Sequence, residues 1–137
     1  EKNIALAINA FAEVLKKYPK TGLVIVGSGS QKRTLKIKAK SYLPAMTSSG
    51  EVGRGSLKTN VIFEPWTDHG TLISYMKTAD LFLNTSLYEG YGMSLLEAKV
   101  AGCQIVSTDV GVAKEMGARM VGYNSFDIAR GINESIQ

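Results

Sequence analysis

Cysteine and histidine are almost absent from this sequence of 137 residues, which has one of each. The single cysteine, Cys103, excludes a disulfide bond within the chain, and this fits a reducing compartment. The histidine, His69, is far from it in sequence, and the two cannot form a zinc site. Long apolar runs are also missing, since none reaches the roughly 18 residues that predict a membrane span. These absences exclude a disulfide-rich domain and give no sign of a metal site or a transmembrane helix.

Charge of one sign is only slightly in excess. The formal net charge is +4, which favours anionic partners but identifies none. Hydrophobic residues make up 45% of the chain and charged residues 20%, as in an ordinary globular domain, and the length suits a single domain. The sequence has no initiator methionine and starts inside a helical pattern. We therefore expect a fragment of a longer protein.

Helical and strand-like patterns alternate along the chain. The run "LVIVG", for example, predicts a strand buried on both faces. Such alternation predicts a parallel sheet covered by helices on both sides, with ligands bound outside the carboxyl ends of the strands. The predicted helices are 3–18, 69–78 with Thr67 or Asp68 as N-cap, 92–102 and 125–137, with a loop that leads into a helix over 28–43 and a short helical turn over 111–117. The predicted strands are 23–27, 61–63, 79–86 and 103–109, and the Gly- and Ser-rich segment 44–60 is predicted to be a mobile loop.

The stretch "VGSGS" follows the first strand and leads into a helix. Gly27 and Gly29 allow a ligand to approach the backbone closely, and the following helix offers free N–H groups to an anion. The third glycine of a dinucleotide fingerprint is missing. A tight turn from strand to helix, without a ligand, explains the glycines equally well.

The stretch "LYEGYGMSLLEA" contains two glutamates, Glu89 and Glu97, eight residues apart. Gly90 and Gly92 allow a tight loop, and the amides near Gly92 should face an anion at the helix N-terminus. The two carboxylates would flank that helix end, which does not suit a pair that shares a proton or a metal. They would accept hydrogen bonds from vicinal hydroxyls on either side of a phosphate, as in a nucleotide sugar. Solvated surface glutamates are the alternative.

Basic residues cluster in "QKRTLKIKAK". Lys32, Arg33, Lys36 and Lys40 share a helix face, which is either simply solvated or a contact for an anionic membrane surface. Nucleic acid fits poorly, because the segment has no interleaved aromatic residues for stacking on bases. His69 at a helix start is interpreted as a surface residue, and Cys103 as a small core residue.

The segment "LNTSLYEGYGMSLLEAKVAGCQIVSTDVGVAKEM" resembles the E-x7-E segment of family 4 glycosyltransferases, the retaining enzymes of GT-B architecture. "EKNIALAINAF", "LVIVGSGS", "NVIFEPW" and "LISYMKTADLFL" resemble the same family in the same order. The resemblance implies a Rossmann-like three-layer α/β/α domain with a mainly parallel sheet, one half of a GT-B protein. It also implies that the whole of 1–137 is the C-terminal donor-binding domain, whose N-terminal acceptor domain is absent from this chain.

The resemblance assigns roles to individual residues. Glu89 and Lys2 are the candidate catalytic residues, because Glu89 matches the glutamate that contacts the transferred sugar and Lys2 matches the lysine that neutralises the diphosphate. Glu97 matches the glutamate that holds the ribose hydroxyls. Asn3 stands where the family often has glycine. The other expected substrate-binding residues are Gly90, Tyr91, Gly92 and Met93 around the diphosphate, Gly27 and Gly29 near the donor, and Glu64, Pro65 and Trp66 near the base.

The implied reaction is transfer of a sugar from a nucleotide-diphospho-sugar to a hydroxyl acceptor, with retention, in glycan, polysaccharide or glycolipid synthesis. The lysine and the helix N-terminus would stabilise the leaving diphosphate without a bound metal or other cofactor. We expect a cytoplasmic location, which includes the cytoplasmic face of a membrane, and donor binding without turnover by this chain alone. The alternatives are a non-catalytic nucleotide or nucleotide-sugar binding domain, and a related GT-B enzyme such as an epimerase or a glycogen synthase-like polymerase.

Overall fold

The computed structural model describes residues 2–46 and 60–137. Helices and strands alternate in it, which confirms the predicted α/β class. The helices are α1 (Ile4–Lys17), α2 (Lys32–Met46), α3 (His69–Thr78), α4 (Met93–Val100) and α5 (Ser125–Ser135). The strands are β1 (Leu23–Val26), β2 (Val61–Glu64), β3 (Leu81–Asn84), β4 (Gln104–Thr108) and β5 (Arg119–Val121).

Within residues 2–46 and 60–137 the strand pairs are parallel, as predicted, but they form two hydrogen-bonded sheets rather than one. β1 pairs with β2, with Val24 opposite Ile62, and the second sheet has the order β3-β4-β5. The short strand β5 was not predicted, because three residues between two turns have no recognisable period. The segment 111–117 before it forms turns, and Met116 N donates to the Val112 carbonyl oxygen at 3.0 Å, which agrees with the predicted short helical turn.

Two apolar layers enclose the second sheet. Val106 of β4 packs in a cluster with residues of α1 and α5, whereas its neighbour Ile105 packs in a second cluster with residues of α3 and α4. Successive residues of a strand point to opposite faces, so these two side chains anchor helices on both sides. Gly131 of α5 lies so close to β5 that a Cβ there would be 2.5 Å from Val121 Cγ1.

The first sheet is covered on one face only. Leu23 and Ile25 pack toward a cluster of α1 and α2 residues that includes Ile8 and Leu35. On the other face, Val24 is 41% exposed and Ile62 opposite it is 43% exposed. The prediction that β1 is buried on both faces is therefore wrong, because α3 and α4 pack on the second sheet.

The observed ends of helices and strands agree with the predicted ones where a capping side chain marks them. α3 has the predicted bounds, and Asp68 is its N-cap, since its side chain accepts a hydrogen bond from Thr71 N at 2.9 Å. Hydrogen bonds from Thr71 lower the pKa of Asp68. α2 continues through residues 44–46, which were predicted to be loop, and residues 47–59 of that loop lie outside the described part of the chain. β3 ends at Asn84, two residues earlier than predicted.

Candidate functional site

The N-terminus of α4 is set by a left-handed glycine. Gly92, the N-cap, has φ 92° and ψ 55°, and its carbonyl accepts hydrogen bonds from Leu95 N and Leu96 N. A Cβ at this position would lie 2.9 Å from Leu95 Cδ1, so a side chain would be strained as well as crowded. Tyr91 and Met93 on either side are more than half exposed. The helix start is therefore where the sequence predicts it.

Glu89 lies in the loop between β3 and α4, and two side chains hold its carboxylate. Lys2 Nζ forms an ion pair with Glu89 Oε1, and Ser86 Oγ donates to the same oxygen at 2.8 Å. The Glu89 side chain is only 11% exposed, against 59% for that of Lys2. Partial burial raises the pKa of Glu89, but the hydrogen bonds from Lys2 and Ser86 and the charge of Lys2 outweigh it and lower the pKa overall. Glu89 is therefore an ionised acceptor at neutral pH.

The backbone that presents Lys2 is held by a threonine just after β3. Thr85 Oγ1 lies 3.0 Å from the carbonyl oxygens of both Lys2 and Asn3. Asn3 has φ 49° and ψ 48°, the left-handed conformation that asparagine tolerates better than most residues. This conformation explains why asparagine can occupy a position at which the family that the sequence resembles often has glycine.

A buried polar network joins the end of β3 and the residues just after it to β4. Asn84 Nδ2 donates to Ser107 Oγ at 3.0 Å, and Thr108 Oγ1 donates to the carbonyl oxygen of Ser86 at 2.6 Å. Ser86, Ser107 and Thr108 have no exposed surface. Buried hydroxyl and amide groups are retained at little cost only when they are paired, as these are. The network fixes the loop that carries Glu89 to the end of the sheet.

The turn after β4 contacts the same loop. Val112 N donates to the carbonyl oxygen of Tyr91 at 3.3 Å. Gly111 has φ 52°, and a Cβ there would lie 2.9 Å from that oxygen and 3.1 Å from Glu89 Cβ. Only glycine combines this conformation with this proximity. The ends of β3 and β4 thus meet at Glu89, as expected of parallel strands.

Glu97 lies one turn into α4 and has a different partner. His69 Nδ1 is 3.5 Å from Glu97 Oε1, and the two side chains are 70% and 24% exposed. His69 is a surface residue, as predicted, but its contact with a candidate ribose-binding group was not foreseen. The structure gives Glu97 no hydrogen bond to the Lys2–Glu89 pair among the described residues.

The glycine turn after β1 meets the end of β2. Gly27, with φ 130°, donates its N–H to the carbonyl oxygen of Glu64 at 3.1 Å. At both Gly27 and Gly29 the space that a Cβ would occupy is free of described atoms. Trp66, just beyond Glu64, is 75% exposed. Packing therefore does not explain Gly29 or the exposed indole.

The predicted residues thus form local groups with different partners. The structure joins Lys2 to Glu89, and Gly27 to Glu64, whereas Glu97 pairs with His69. Sequence reasoning missed Thr85, Ser86 and Gly111. The available signal was the run of small polar residues that ends the apolar strand pattern in "DLFLNTS", which marks a turn whose side chains bond nearby groups.

Other parts of the chain bear on two predictions. Among the described residues, none of the helices is both long and apolar enough to cross a membrane. Cys103 is half-buried, and burial, together with the charge of Asp80, raises the pKa of its thiol. This fits a small packing residue better than a nucleophile.

The sequence belongs to the family of glycosyl transferases group 1, whose profile matches residues 1–124. Among its relatives, a poly(glycerol-phosphate) alpha-glucosyltransferase from Bacillus subtilis is 32% identical over 108 residues, which is 79% of this chain and 14% of that protein. An alpha-monoglucosyldiacylglycerol synthase from Streptococcus pneumoniae is 30% identical over 107 residues, which is 78% of this chain and 21% of the relative. The chain therefore spans about a seventh of the length of the first relative and about a fifth of the second.

Solved glycosyltransferase structures share the fold. WaaG, a glycosyltransferase involved in lipopolysaccharide biosynthesis, superposes with a TM-score of 0.77 at 21% identity, covering 98% of this chain and 34% of WaaG. The pneumococcal O-GlcNAc transferase in complex with UDP and GlcNAc gives a TM-score of 0.71 at 18% identity, covering 97% of this chain and 27% of that one. These similarities confirm the Rossmann-like half of a GT-B architecture.

Proposed function

We propose that this chain is the donor-binding domain of a glycosyltransferase that moves a sugar from a nucleotide-diphospho-sugar to a hydroxyl acceptor with retention. The observation that carries the proposal is the Lys2–Glu89 ion pair in the loop that leads into α4. It places a cation and an ionised carboxylate near a helix N-terminus, where an anionic leaving group and sugar hydroxyls would both find partners. Family membership supports the chemistry.

In this proposal the diphosphate lies between Lys2 and the N-terminus of α4. Departure of the nucleoside diphosphate develops negative charge, which a preorganised cation and helix dipole stabilise without a metal. The exposed Lys2 side chain can turn toward the phosphates. Tyr91 and Met93, exposed beside Gly92 and Gly90, would lie against the diphosphate.

The two glutamates would then hold the two hydroxyl-bearing ends of the donor. Glu89 is ionised, so it would accept hydrogen bonds from the sugar rather than donate a proton. Glu97 would accept from the ribose, in competition with His69. Gly27 and Gly29 would leave room for the donor, and Glu64 and Trp66 would face the base, with the exposed indole available for stacking.

Calorimetric titration of the chain with UDP, GDP and ADP, with and without EDTA, tests donor binding. We expect saturable binding of one nucleotide that EDTA does not change. Glu97→Ala should weaken binding of that nucleotide by about 1.5–3 kcal/mol, as expected of hydrogen bonds to a charged group. Glu89→Ala should leave the nucleoside diphosphate affinity nearly unchanged and weaken the sugar-bearing form. Equal losses for both ligands would contradict the division of roles.

A glycogen synthase-type activity is the second candidate. A glycogen synthase from Mycobacterium tuberculosis is 29% identical over 111 residues, which is 81% of this chain. Both candidates share the donor site, so they differ in the acceptor. Transfer assays with the longer protein, using glycogen and lipid acceptors with the nucleotide sugar identified above, distinguish them. A non-catalytic binding domain would bind the nucleotide without transfer to either.

We further propose that α2 contacts an anionic membrane surface at its cytoplasmic face. α2 contains five of the 16 basic residues and none of the 12 acidic ones, so the rest of the chain has eleven basic and twelve acidic residues. Leu35 and Ala39 are buried on one side of the helix. Arg33, Lys36 and Lys40 are exposed. The positive net charge of the protein therefore comes from α2.

Vesicle sedimentation tests this contact. Binding to vesicles of phosphatidylglycerol and phosphatidylcholine should fall with rising salt, and Lys36→Glu with Lys40→Glu should weaken it at least tenfold, since each basic residue is worth about 1 kcal/mol at such a surface. Reversal of two exposed lysines elsewhere, Lys77→Glu with Lys114→Glu, is the control with the same net charge. Equal losses in both double variants would leave no role for the α2 face.

A further inference from the structure

Three consecutive residues at the end of β3 each hold a different part of the candidate site. Asn84 bonds Ser107 of β4, and Thr85 bonds the backbone of Lys2. Ser86 bonds the carboxylate of Glu89. Of the three, only Ser86 contacts a side-chain group that would bind the substrate in the proposed function, namely the carboxylate of Glu89.

Ser86 has more acceptors than protons. Its Oγ lies 2.8 Å from Glu89 Oε1 and also 2.8 Å from Asn84 Oδ1. A hydroxyl group carries one proton, so Ser86 donates to only one of the two at a time. Asn84 is held in this orientation because its Nδ2 donates to Ser107 Oγ, whose own proton goes to the Thr108 carbonyl oxygen at 2.7 Å. The Ser86 hydroxyl is therefore the group that can rotate between two acceptors.

Lys2 decides which acceptor is stronger. In the structure the ammonium group of Lys2 pairs with Glu89 Oε1. In the proposed function the same ammonium neutralises the donor diphosphate. Lys2 is largely exposed and flexible, whereas the Glu89 side chain is mostly buried. When a diphosphate draws Lys2 away, Glu89 becomes an ionised acceptor with one partner fewer.

We propose that Ser86 is a positioning residue for Glu89, whose hydroxyl is shared between Asn84 and the carboxylate while Lys2 is paired there and stays on the carboxylate when a diphosphate takes Lys2. The change is a rotation about the Cβ–Oγ bond, and no covalent bond forms or breaks. A charge-assisted hydrogen bond to the carboxylate then replaces a weaker one to an amide. It keeps Glu89 ionised and oriented toward the transferred sugar. The proposal rests on the proposed function for its diphosphate and sugar, but not for the switch itself.

A double-mutant cycle in the ligand-free chain tests the switch. The pKa of the Glu89 carboxyl is followed by carbon NMR, with assignment from Glu89→Gln, in the wild type, Ser86→Ala, Lys2→Met and the double variant. Ser86→Ala should tighten proton binding by Glu89 in both backgrounds, and by about tenfold when Lys2 is absent. A larger effect without Lys2 supports the switch. Equal effects in both backgrounds, or no effect, overturn it.

Ser135→Ala is the control, because Ser135 is a half-buried serine whose hydroxyl donates to the Gly131 carbonyl oxygen of α5 and is not part of the network around Glu89. It should destabilise the fold without changing the Glu89 pKa. If Ser86→Ala does not fold, Ser86→Cys retains the size with a weaker donor and should give a smaller shift in the same direction. No difference between Ser86→Cys and the wild type would also overturn the proposal.

Inorganic pyrophosphate connects the switch to the ligand. Added to the wild type, it should move the Lys2 and Glu89 resonances while the Glu89 pKa stays low, and in Ser86→Ala it should raise that pKa. If pyrophosphate does not shift the Lys2 and Glu89 resonances of the wild type, Lys2 does not move from Glu89 to a diphosphate, and the proposal is overturned. With UDP and UDP-glucose as probes, Ser86→Ala should weaken only the sugar-bearing ligand. If the cycle shows coupling but none of UDP, GDP and ADP binds, the proposed function fails and the positioning role remains.

Discussion

Glu89 and Glu97 lie eight residues apart, yet one is fixed by side chains and the other by a helix. Glu89 is mostly buried and bonded by Lys2 and Ser86, which are themselves held by Thr85 and by the β3–β4 network. Glu97 projects from α4, and within the described part of the chain its carboxylate is paired with the exposed His69. The difference indicates that Glu89 is preorganised before any ligand arrives. Glu97 depends on α4 for position and is free to change partner.

The largest expected effect comes from crowding the Glu89 side. Gly111→Ala should lower the free energy of unfolding by about 3 kcal/mol, because it combines a left-handed backbone with contact against Tyr91 and Glu89. Gly117→Ala is the control, since Gly117 has φ 74° but free space around its Cβ position. Urea unfolding of both variants measures the contact separately from the backbone. Equal losses would show that the contact contributes nothing.

A smaller loss is expected when the backbone of Lys2 is released. Thr85→Val keeps the shape but removes the hydroxyl that bonds the carbonyl groups of Lys2 and Asn3, which should reduce stability by about 1 kcal/mol. Thr78→Val, in the exposed last turn of α3, provides a hydroxyl deletion away from the site. Thermal unfolding compares the two. A loss no larger than that of Thr78→Val would mean that Thr85 does not hold Lys2.

The Glu89 side should also depend on pH. Because its pKa is lowered in the folded protein, Glu89 contributes stability above its unfolded pKa of about 4.3, and this contribution disappears as pH falls through the lowered folded value. The wild type should therefore be more stable than Glu89→Gln at pH 6, and the gap should shrink toward pH 3. Urea titrations at both pH values measure it. A gap that does not change with pH would contradict an ionised, partnered Glu89.

The smallest effect is expected on the Glu97 side. His69→Ala should change stability by no more than about 0.5 kcal/mol, because the pair is long and His69 is well exposed. Thermal unfolding at pH 6 and pH 8 measures this, with Lys114→Ala as an exposed control. A loss above 1 kcal/mol would mean that Glu97 is fixed as firmly as Glu89, and the contrast between them would disappear.

Local chemistry made much of the fold predictable. The cap at Asp68 marked the start of α3, and the glycine at position 92 marked the start of α4. The exposed face of β1 was missed because an apolar run shows that a strand is hydrophobic, but it does not show which helices pack against each of its faces. The three-residue strand β5 was missed because it is too short to show a period.

The site was predictable in its charged residues and not in their supports. Spacing and resemblance together identified Glu89 and Glu97, and the resemblance added Lys2, which the structure pairs with Glu89. Ser86 and Gly111 act through contacts with other segments of the chain. Small polar residues and glycines look alike in sequence whether they support a carboxylate or only make a turn, so their roles appear only when the segments are placed together.

The span of these contacts along the chain has a consequence for folding. Asn84 and Ser107 are 23 residues apart, whereas Lys2 and Glu89 are 87 apart. Closing the longer loop costs more chain entropy and also requires α1 to dock, so the β3–β4 support can form first and Lys2 can join it only later. During refolding, the β3–β4 network should therefore hold the loop that carries Glu89 before Lys2 pairs with the Glu89 carboxylate. The formation of the Lys2–Glu89 pair then reports that α1 has docked.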